Sequence, residues 1–456
     1  MLKIAQKILT LFLCLGCLPV FAQKTDSVLT LPQCLDIAIR NNLTVRQSDR
    51  SAQSAGIDLR QAKENLLPNI GGNVSRTYNQ GRAISPITNS YVNQSATNDS
   101  YSLSGSMTLF NGFSLVNAVK SSSLAYQAGK LDLQAAKDVV TVNVITAYLA
   151  ILDNQEVLAA SKSQLTAQQE TVNRLEVLEK EGANKAASDL TDQKGQLEGN
   201  KVALVNAQNN LDASKLALYQ LMNIPFEPDK QFQTLNAQDL TGNYGTDPEK
   251  AYQIALQQFA AVKAAALRRQ SAQKNLASVK GALFPTISLN GGVGTAYSNG
   301  ATRSVMIDST TITQQVPYGD QFKNNYTSYI GVGLNIPIFY NGFRRNNVAK
   351  AKLTLLNSKD VEDNVKIQLR QNVEQSYYNM NAAYRRYLAL QEQVKAYTES
   401  YRVYKIRFDS GVLNSVDLII AKNNLDAATI NLISAKYDYF IDSKILDYYQ
   451  GKLAAF

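Results

Sequence analysis

Histidine and tryptophan are absent from this chain, and cysteine occurs only three times. Without an imidazole there can be no Ser-His-Asp or Cys-His catalytic pair, and no His-ligated zinc, copper or haem. Cys14 and Cys17 fall in an N-terminal apolar stretch, which leaves Cys34 alone in the remainder. One thiol forms neither an internal disulfide nor a thiolate metal cage. Charge is sparse too, at 18% of residues against 45% hydrophobic. The 46 Lys plus Arg and 37 Asp plus Glu are spread evenly, without the basic runs of a nucleic-acid binder. No acids pair in a pocket-like context as a glycosidase requires. The composition predicts no enzyme, no cofactor, no metal and no nucleic-acid partner.

The N-terminus reads as an export signal over residues 1–22. Lys3 and Lys7 give the positive start and Ile8 to Phe21 the apolar run. Val20 and Ala22 then form a small-residue cleavage site before Gln23. Cys17 has Cys14 three places before it, a poor match to a lipoprotein signal. Removing the two lysines leaves 44 basic against 37 acidic side chains, a formal +7. Beyond residue 22 no apolar run is expected to approach the roughly 18 residues that a membrane-spanning helix needs. Entry into a membrane would therefore require a closed β-barrel.

The chain is internally duplicated. Asp36-Ile-Ala-Ile-Arg-Asn-Asn-Leu-Thr-Val45 matches Gln253-Ile-Ala-Leu-Gln-Gln-Phe-Ala-Ala-Val262, and Leu67-Pro-Asn-Ile70 matches Phe284-Pro-Thr-Ile287. Further on, Phe110-Asn-Gly-Phe113 pairs with Tyr340-Asn-Gly-Phe343, Gly182 with Gly411, and Asp189-Leu190 with Asp417-Leu418. The spacing jumps between the matched Pro and the Asn-Gly-Phe, which places a 13-residue insertion in the second half. This divides the chain into repeats at 23–246 and 247–456.

Each repeat follows one plan. An Ala- and Gln-rich helix, about Pro32–Leu66 and about Pro248–Leu283, begins and ends at a proline. The period then switches to two, predicting strands at about 69–78 and 101–110, and at about 286–297 and 326–339. Tyr101, Leu103, Met107 and Leu109 alternate with Ser102, Ser104, Ser106 and Thr108. Strands of this length fit a half-buried soluble sheet or a membrane barrel wall, and aromatics such as Tyr78, Phe113, Tyr326 and Phe343 cluster at their ends. Helical hairpins follow, at about 112–223 and 342–450, with a linker at 224–246. Val144, Ile151, Leu158, Leu165 and Val172 fall every seven residues, echoed by Val373, Met380, Tyr387, Val394 and Tyr401. The return arms carry Leu190 to Leu218 and Leu418 to Leu446 at the same period. Such repeats bury a narrow seam and impose left-handed supercoiling. An ordinary soluble bundle shares the heptads but leaves the signal and the strands without a role. Four strands cannot close a barrel, which needs at least eight, so copies must pool theirs.

In its ordered motifs the chain resembles the TolC-like outer-membrane efflux channel family. The likeness covers nearly the whole mature chain and includes Leu29-Thr-Leu-Pro-Gln-Cys-Leu-Asp-Ile-Ala38 and the tip Arg407-Phe-Asp-Ser-Gly-Val-Leu-Asn-Ser-Val-Asp-Leu418. It implies a mainly α fold with a membrane β-barrel portion: a homotrimer whose 12-stranded barrel sits in the outer membrane and continues as a coiled-coil tunnel in the periplasm. Such a channel passively conducts substrate delivered by an inner-membrane transporter through a periplasmic adaptor, in efflux or type I secretion. Asp189 and Asp417 match gate positions at the closed tunnel end, or equally cap the return helices. Gly182, Arg407, Phe408, Gly411 and Leu413 are candidates for adaptor docking. Ile420 stands where a second acid is frequent, and Leu413 where the family has a gate arginine. The rival reading is a trimeric coiled-coil surface or structural protein without transport.

Overall fold

The computed structural model describes residues 28–84, 89–181, 187–234, 247–307 and 310–452. The export signal at 1–22, Gly182 and most of the linker lie outside the described residues. Each half opens with two helices, α1 (Leu31–Asn41) and α2 (Leu43–Glu64), then α5 (Pro248–Gln258) and α6 (Ala260–Gly281). A capping box starts α1: the Gln33 amide N–H donates to Thr30 Oγ1, and the Thr30 N–H donates to Gln33 Oε1. The sequence predicts one continuous helix here. Instead Asn42 is extended, with ψ 126°, and its Oδ1 accepts from the N–H groups of Thr44 and Val45 at 2.9 and 3.2 Å. Asn42 thus ends one helix and caps the next. Phe259, its counterpart in the repeat, is extended in the same way, with ψ 121°. The break belongs to the duplicated plan.

Four strands form one antiparallel sheet: β1 (Asn69–Ile84), β2 (Tyr91–Phe110), β3 (Thr286–Ser298) and β6 (Thr327–Asn335), in spatial order β1-β2-β3-β6. The first two run well past the sequence-based bounds at their outer ends, pairing up to Ile84 opposite Tyr91. β6 stops at Asn335 rather than 339, because Pro337 has no N–H to give a ladder. Ile70, Val74, Leu103, Val293, Ile330, Val332 and Leu334 share one face. The other holds Ser75, Ser100, Ser102, Ser104, Ser288 and Asn290. Between β3 and β6 the insertion forms a hairpin, β4 (Thr302–Ile307) with β5 (Thr310–Gln315), and a short helix α7 (Tyr318–Asn324).

Two 67-residue helices, α3 (Ser114–Lys180) and α8 (Phe343–Asp409), leave the sheet and return as α4 (Ala187–Met222) and α9 (Ser415–Tyr449). At 1.5 Å per residue each long arm spans about 100 Å. None of the heptad residues is exposed. By length and composition α3 could cross a membrane, contrary to the sequence-based expectation. Its apolar stretch is instead the main core: Val144, Ile145, Leu149, Ile151 and Leu152 pack with Leu31, Cys34 and Ala38 of α1 and Leu218 and Met222 of α4. Tyr148, buried among them, donates from its hydroxyl to the carbonyls of Leu29 (3.1 Å) and Gln233 (2.7 Å), pinning the chain on either side of the Leu29–Phe232 bridge. Burial pushes the Cys34 thiol up to about 12, so it stays protonated and inert at neutral pH.

Strand becomes helix at the two Asn-Gly-Phe turns. In the first, Gly112 and Phe113 have φ of 63° and 62°; in the second the left-handed pair is Asn341 and Gly342, at 48° and 73°. The helix therefore starts one position earlier in the repeat. Gly112 lies against the end of α6, where a Cβ would stand 2.4 Å from the Gly281 carbonyl oxygen and 2.8 Å from Phe284 Cβ. A Cβ on Gly342 would meet only Asn346 Nδ2, at 3.7 Å. Gly112→Ala is therefore expected to cost roughly 2–3 kcal/mol and Gly342→Ala about 1 kcal/mol. Urea unfolding followed by circular dichroism checks the order; equal losses would mean that φ alone matters.

A polar seam joins α3 to α9. Lys436 and Tyr437 bond Glu156, and Ser434 donates to Asp153 at 3.4 Å. Burial pushes Asp153 up to about 6, aided by Asp438 and Glu156 and opposed by Ser434 and Lys436. Burial also pushes Asp442 up to about 6, with Asp438 adding to it. Both acids bind a proton more readily folded than unfolded. Their contribution to stability is full below the unfolded value of 3.8 and is lost as pH rises through about 6. Asp153→Asn should raise the thermal midpoint at pH 7.5 and leave it unchanged near pH 4. A variant that gains nothing at pH 7.5 would show that the carboxylate is already satisfied.

Candidate functional site

The ends of the helical hairpins carry the residues singled out from the sequence. At the second tip α8 closes with paired bonds, Gly411 N–H to the Phe408 carbonyl and Val412 N–H to the Arg407 carbonyl, both at 3.0 Å. Gly411 has φ 74°, which glycine adopts without strain. Asn414 then caps α9, its Oδ1 accepting from the Asp417 N–H at 3.0 Å. Asp417 is thus in the first turn of α9 and is not its cap. It is half-buried, as is Leu413, while Arg407 and Ile420 are exposed.

Asp189 does something else. Its Oδ1 accepts from the backbone N–H of Ser415 at 3.2 Å, and Asp192 Oδ2 accepts from Ser415 Oγ at 2.9 Å. Two carboxylates from the first turns of α4 thereby cap the start of α9, in the other hairpin, where the helix dipole favours negative charge. Ser415 is buried. Nearby, Arg174 of α3 pairs with Asp409 at the end of α8, and Gln196 of α4 donates to Asn423 of α9 at 2.8 Å. These residues were not visible in the sequence as a set. Only Asp192, three places after Asp189 on one helix face, carried a local signal.

An apolar cluster lies behind these bonds. Phe408, 1% exposed, packs with Leu175 and Leu418, and Leu178, Leu190, Tyr401, Tyr404 and Leu413 surround them. The aromatic side chain is therefore inside the tip, joining the two hairpins, and the surface is left to Arg407, Gly411 and Val412. Among the described residues no group of three or more Cys, Asp and Glu converges as metal ligands would.

The profile of outer membrane efflux proteins matches residues 34–223 and again 251–451, once over each repeat. The chain belongs to that family. The outer membrane protein TolC of Escherichia coli is 23% identical over 423 residues, covering 90% of this chain and 80% of TolC. The efflux protein BepC of Brucella suis is 23% identical over 437 residues, covering 93% and 86%. Among solved structures, the Campylobacter jejuni CmeC outer membrane channel superposes with a TM-score of 0.77 at 18% identity, covering 96% of this chain and 91% of that one. This outer membrane efflux protein is accordingly an outer-membrane channel, mainly α with a barrel portion, whose helical body lies in the periplasm. Membership of a transport family disfavours the reading as a structural surface protein.

Emptying the tip cluster should loosen it. Phe408→Ala is expected to cost roughly 3–4 kcal/mol locally. Amide exchange at the tips should quicken by about two orders of magnitude while that of the Tyr148 core stays unchanged. Unaltered tip exchange would mean that the polar ties alone hold the hairpins together.

Proposed function

We propose that the chain works as a homotrimeric exit duct, gated at the tips and supplied by an inner-membrane transporter through a periplasmic adaptor. Channels of this family act in tripartite efflux systems. The observation that carries the assembly of copies is the strand order: β1 and β6 are the two edges of a four-stranded sheet and both lack a partner within the described chain. In lipid each unpaired backbone group costs several kcal/mol, so β6 of one copy must pair with β1 of the next. Three copies give twelve strands around an aqueous pore. The protein is a conduit rather than a catalyst, and the energy comes from the pump.

The gate rests on Asp189 with Asp192 acting on Ser415, while Asp417, in the first turn of α9, makes no bond to the first hairpin among the described residues. Arg407 and Gly411, beside the exposed Val412 and Val416, form the part of the tip that an adaptor can reach, with Leu413 packed behind them. Gly182 would belong to the matching surface of the first tip. Phe408 supports this surface from inside and makes no contact with a partner while the tip is shut.

The purified mature protein should form discrete pores in planar bilayers. Asp189→Ala with Asp192→Ala should raise the conductance of the closed state several-fold, since two of the ties on Ser415 are lost. Asp417→Ala should alter ion selectivity more than conductance. Absence of pores removes the duct; pores unchanged by the Asp189/Asp192 pair remove the gate.

A further inference from the structure

The second-half excursion does not stay above the barrel. Helix α7 folds back onto the apolar face of the sheet, the face that meets lipid. Tyr318 lies against Tyr297, ring centroids 4.8 Å apart, and Phe322 against Tyr101 at 5.8 Å. The Tyr318 hydroxyl donates to the Tyr101 hydroxyl at 3.0 Å, and Thr295 Oγ1 donates to the Phe322 carbonyl at 2.8 Å. Gln321, buried, accepts from the Ser298 N–H and donates to the carbonyls of Ser298 and Val316. These bonds fix α7 as a strap across β2 and β3.

Beside the strap, and on the same outward face, Arg76 pairs with Asp99. Arg76 Nε and Nη2 donate to the two carboxylate oxygens at 2.6 and 2.7 Å. Asp99 is 1% exposed, yet the Arg76 side chain is 71% exposed. Its Nη1 donors have no protein partner among the described residues. A charge on a lipid-facing strand is costly at the bilayer centre and tolerable only near an interface. The ten residues from Leu109 to Asp99 cover about 33 Å of strand, or about 25 Å of height at a tilt near 40°. That equals the apolar band of an outer-membrane barrel, so Arg76 and the strap stand where outer-leaflet headgroups begin. Tyr318, Phe322 and Tyr326, all exposed, supply the aromatic belt expected at that level. On the membrane side of the strap the lipid face is hollowed. Gly105 and Gly291 lie opposite each other between Ile70 and Ile330, with Leu103 and Val293 above, around a groove of about 480 Å³.

We infer that this is a lipid site: the groove takes an acyl chain and Arg76, beside the α7 strap, takes the phosphate of an anionic outer-leaflet headgroup. The strap supplies the rings at the depth where chain gives way to headgroup. The inference rests on the barrel's place in the outer membrane and is independent of the tip gate.

The absence of tryptophan makes the test clean. Phe322→Trp is placed in the full mature chain and reconstituted in phosphatidylcholine vesicles containing acyl-brominated phosphatidylglycerol or acyl-brominated phosphatidylcholine. Arg76 shares its charge with Asp99, so the preference comes from the contact of its remaining Nη1 donors with phosphate, and quenching per mole of brominated lipid should be severalfold greater for phosphatidylglycerol. Tyr329→Trp, on the polar face, should be quenched by neither. The combined Arg76→Gln and Asp99→Asn change keeps a hydrogen-bonding pair without charge. It should abolish the preference and keep the quenching by phosphatidylcholine. Equal quenching by the two lipids in the Phe322→Trp protein, or a preference that survives the paired change, overturns the site. Quenching by aqueous iodide alone overturns the strap's place on the lipid face. Conductance of the same vesicles shows separately whether barrels have formed.

Discussion

Lipid offers no hydrogen bond to a peptide group, and that single fact organises this molecule from the sheet downward. A strand edge left open in hydrocarbon would lose a ladder of bonds, so a chain with four strands exists in a membrane only as part of a ring of copies. The length of β6 follows from the same constraint. Pairing ends at Asn335, and past it Pro337 has no donor to lose, so Ile338 and Phe339 extend unpaired toward the Asn-Gly-Phe turn. That turn then takes the chain from strand into helix within two left-handed residues. The spacing of strands around the ring is thereby handed on to the helices, which continue the wall without a linker.

The wall is built by two different kinds of packing. Near the sheet, helices α3 and α6 touch through small residues. Ser121 and Ser271 exchange hydroxyl-to-carbonyl bonds, Ser278 Oγ donates to the Ser114 carbonyl with the two hydroxyls 3.2 Å apart, and Gly112 meets Gly281 backbone to backbone. Gly129 of α3 lies similarly close to Ala52 of α2. Contacts at this range leave no slack, so these helices cannot slide without breaking bonds. Farther down, α3 with α4 and α8 with α9 meet through heptad side chains, and the two hairpins hold each other at the tips by a few polar ties and one apolar cluster. Rigidity is greatest where the membrane must stay sealed, and the separable contacts lie at the far end.

How much of this was legible in the sequence depended on distance along the chain. Strands, long helices and the duplication all arise from periods of two, seven and about 217–230 residues, which a sequence displays directly. The insertion was visible as extra polar residues, but its fold onto the lipid face was not, since Tyr318 and Phe322 find partners on strands that a local pattern cannot name. The helix break at Asn42 was missed because Ala and Gln on either side favour continuation. An Asn followed by an apolar helix was the available signal, and Phe259 offered none. At the tips, cap or gate could not be decided from Asp189 alone. Its partner is Ser415, more than two hundred residues on, and the bond caps a helix that Asp189 does not belong to.

The duplication also makes the asymmetry of the tips meaningful. If both repeats were equal, each tie from the first hairpin to the second would have a counterpart running from the second hairpin to the first hairpin of the next copy. Of the four polar ties at the tips, only the Asp189 bond to the Ser415 N–H keeps both of its groups in the repeat, as Asp417 and the Ala187 backbone N–H. By the repeat register, Asp192 corresponds to Ile420 and Ser415 to Ala187, so the carboxylate–hydroxyl bond has neither partner. Arg174 and Asp409 correspond to Val403 and Lys180, which cannot form an ion pair. Gln196 and Asn423 correspond to Asn424 and Gly195, and a glycine has no side chain to accept. The side-chain bonds that join the hairpins at the tips are thus particular to the pairing within this chain. Tied in this way, the two hairpins of one chain are held to each other by side-chain bonds that the repeat does not supply a second time.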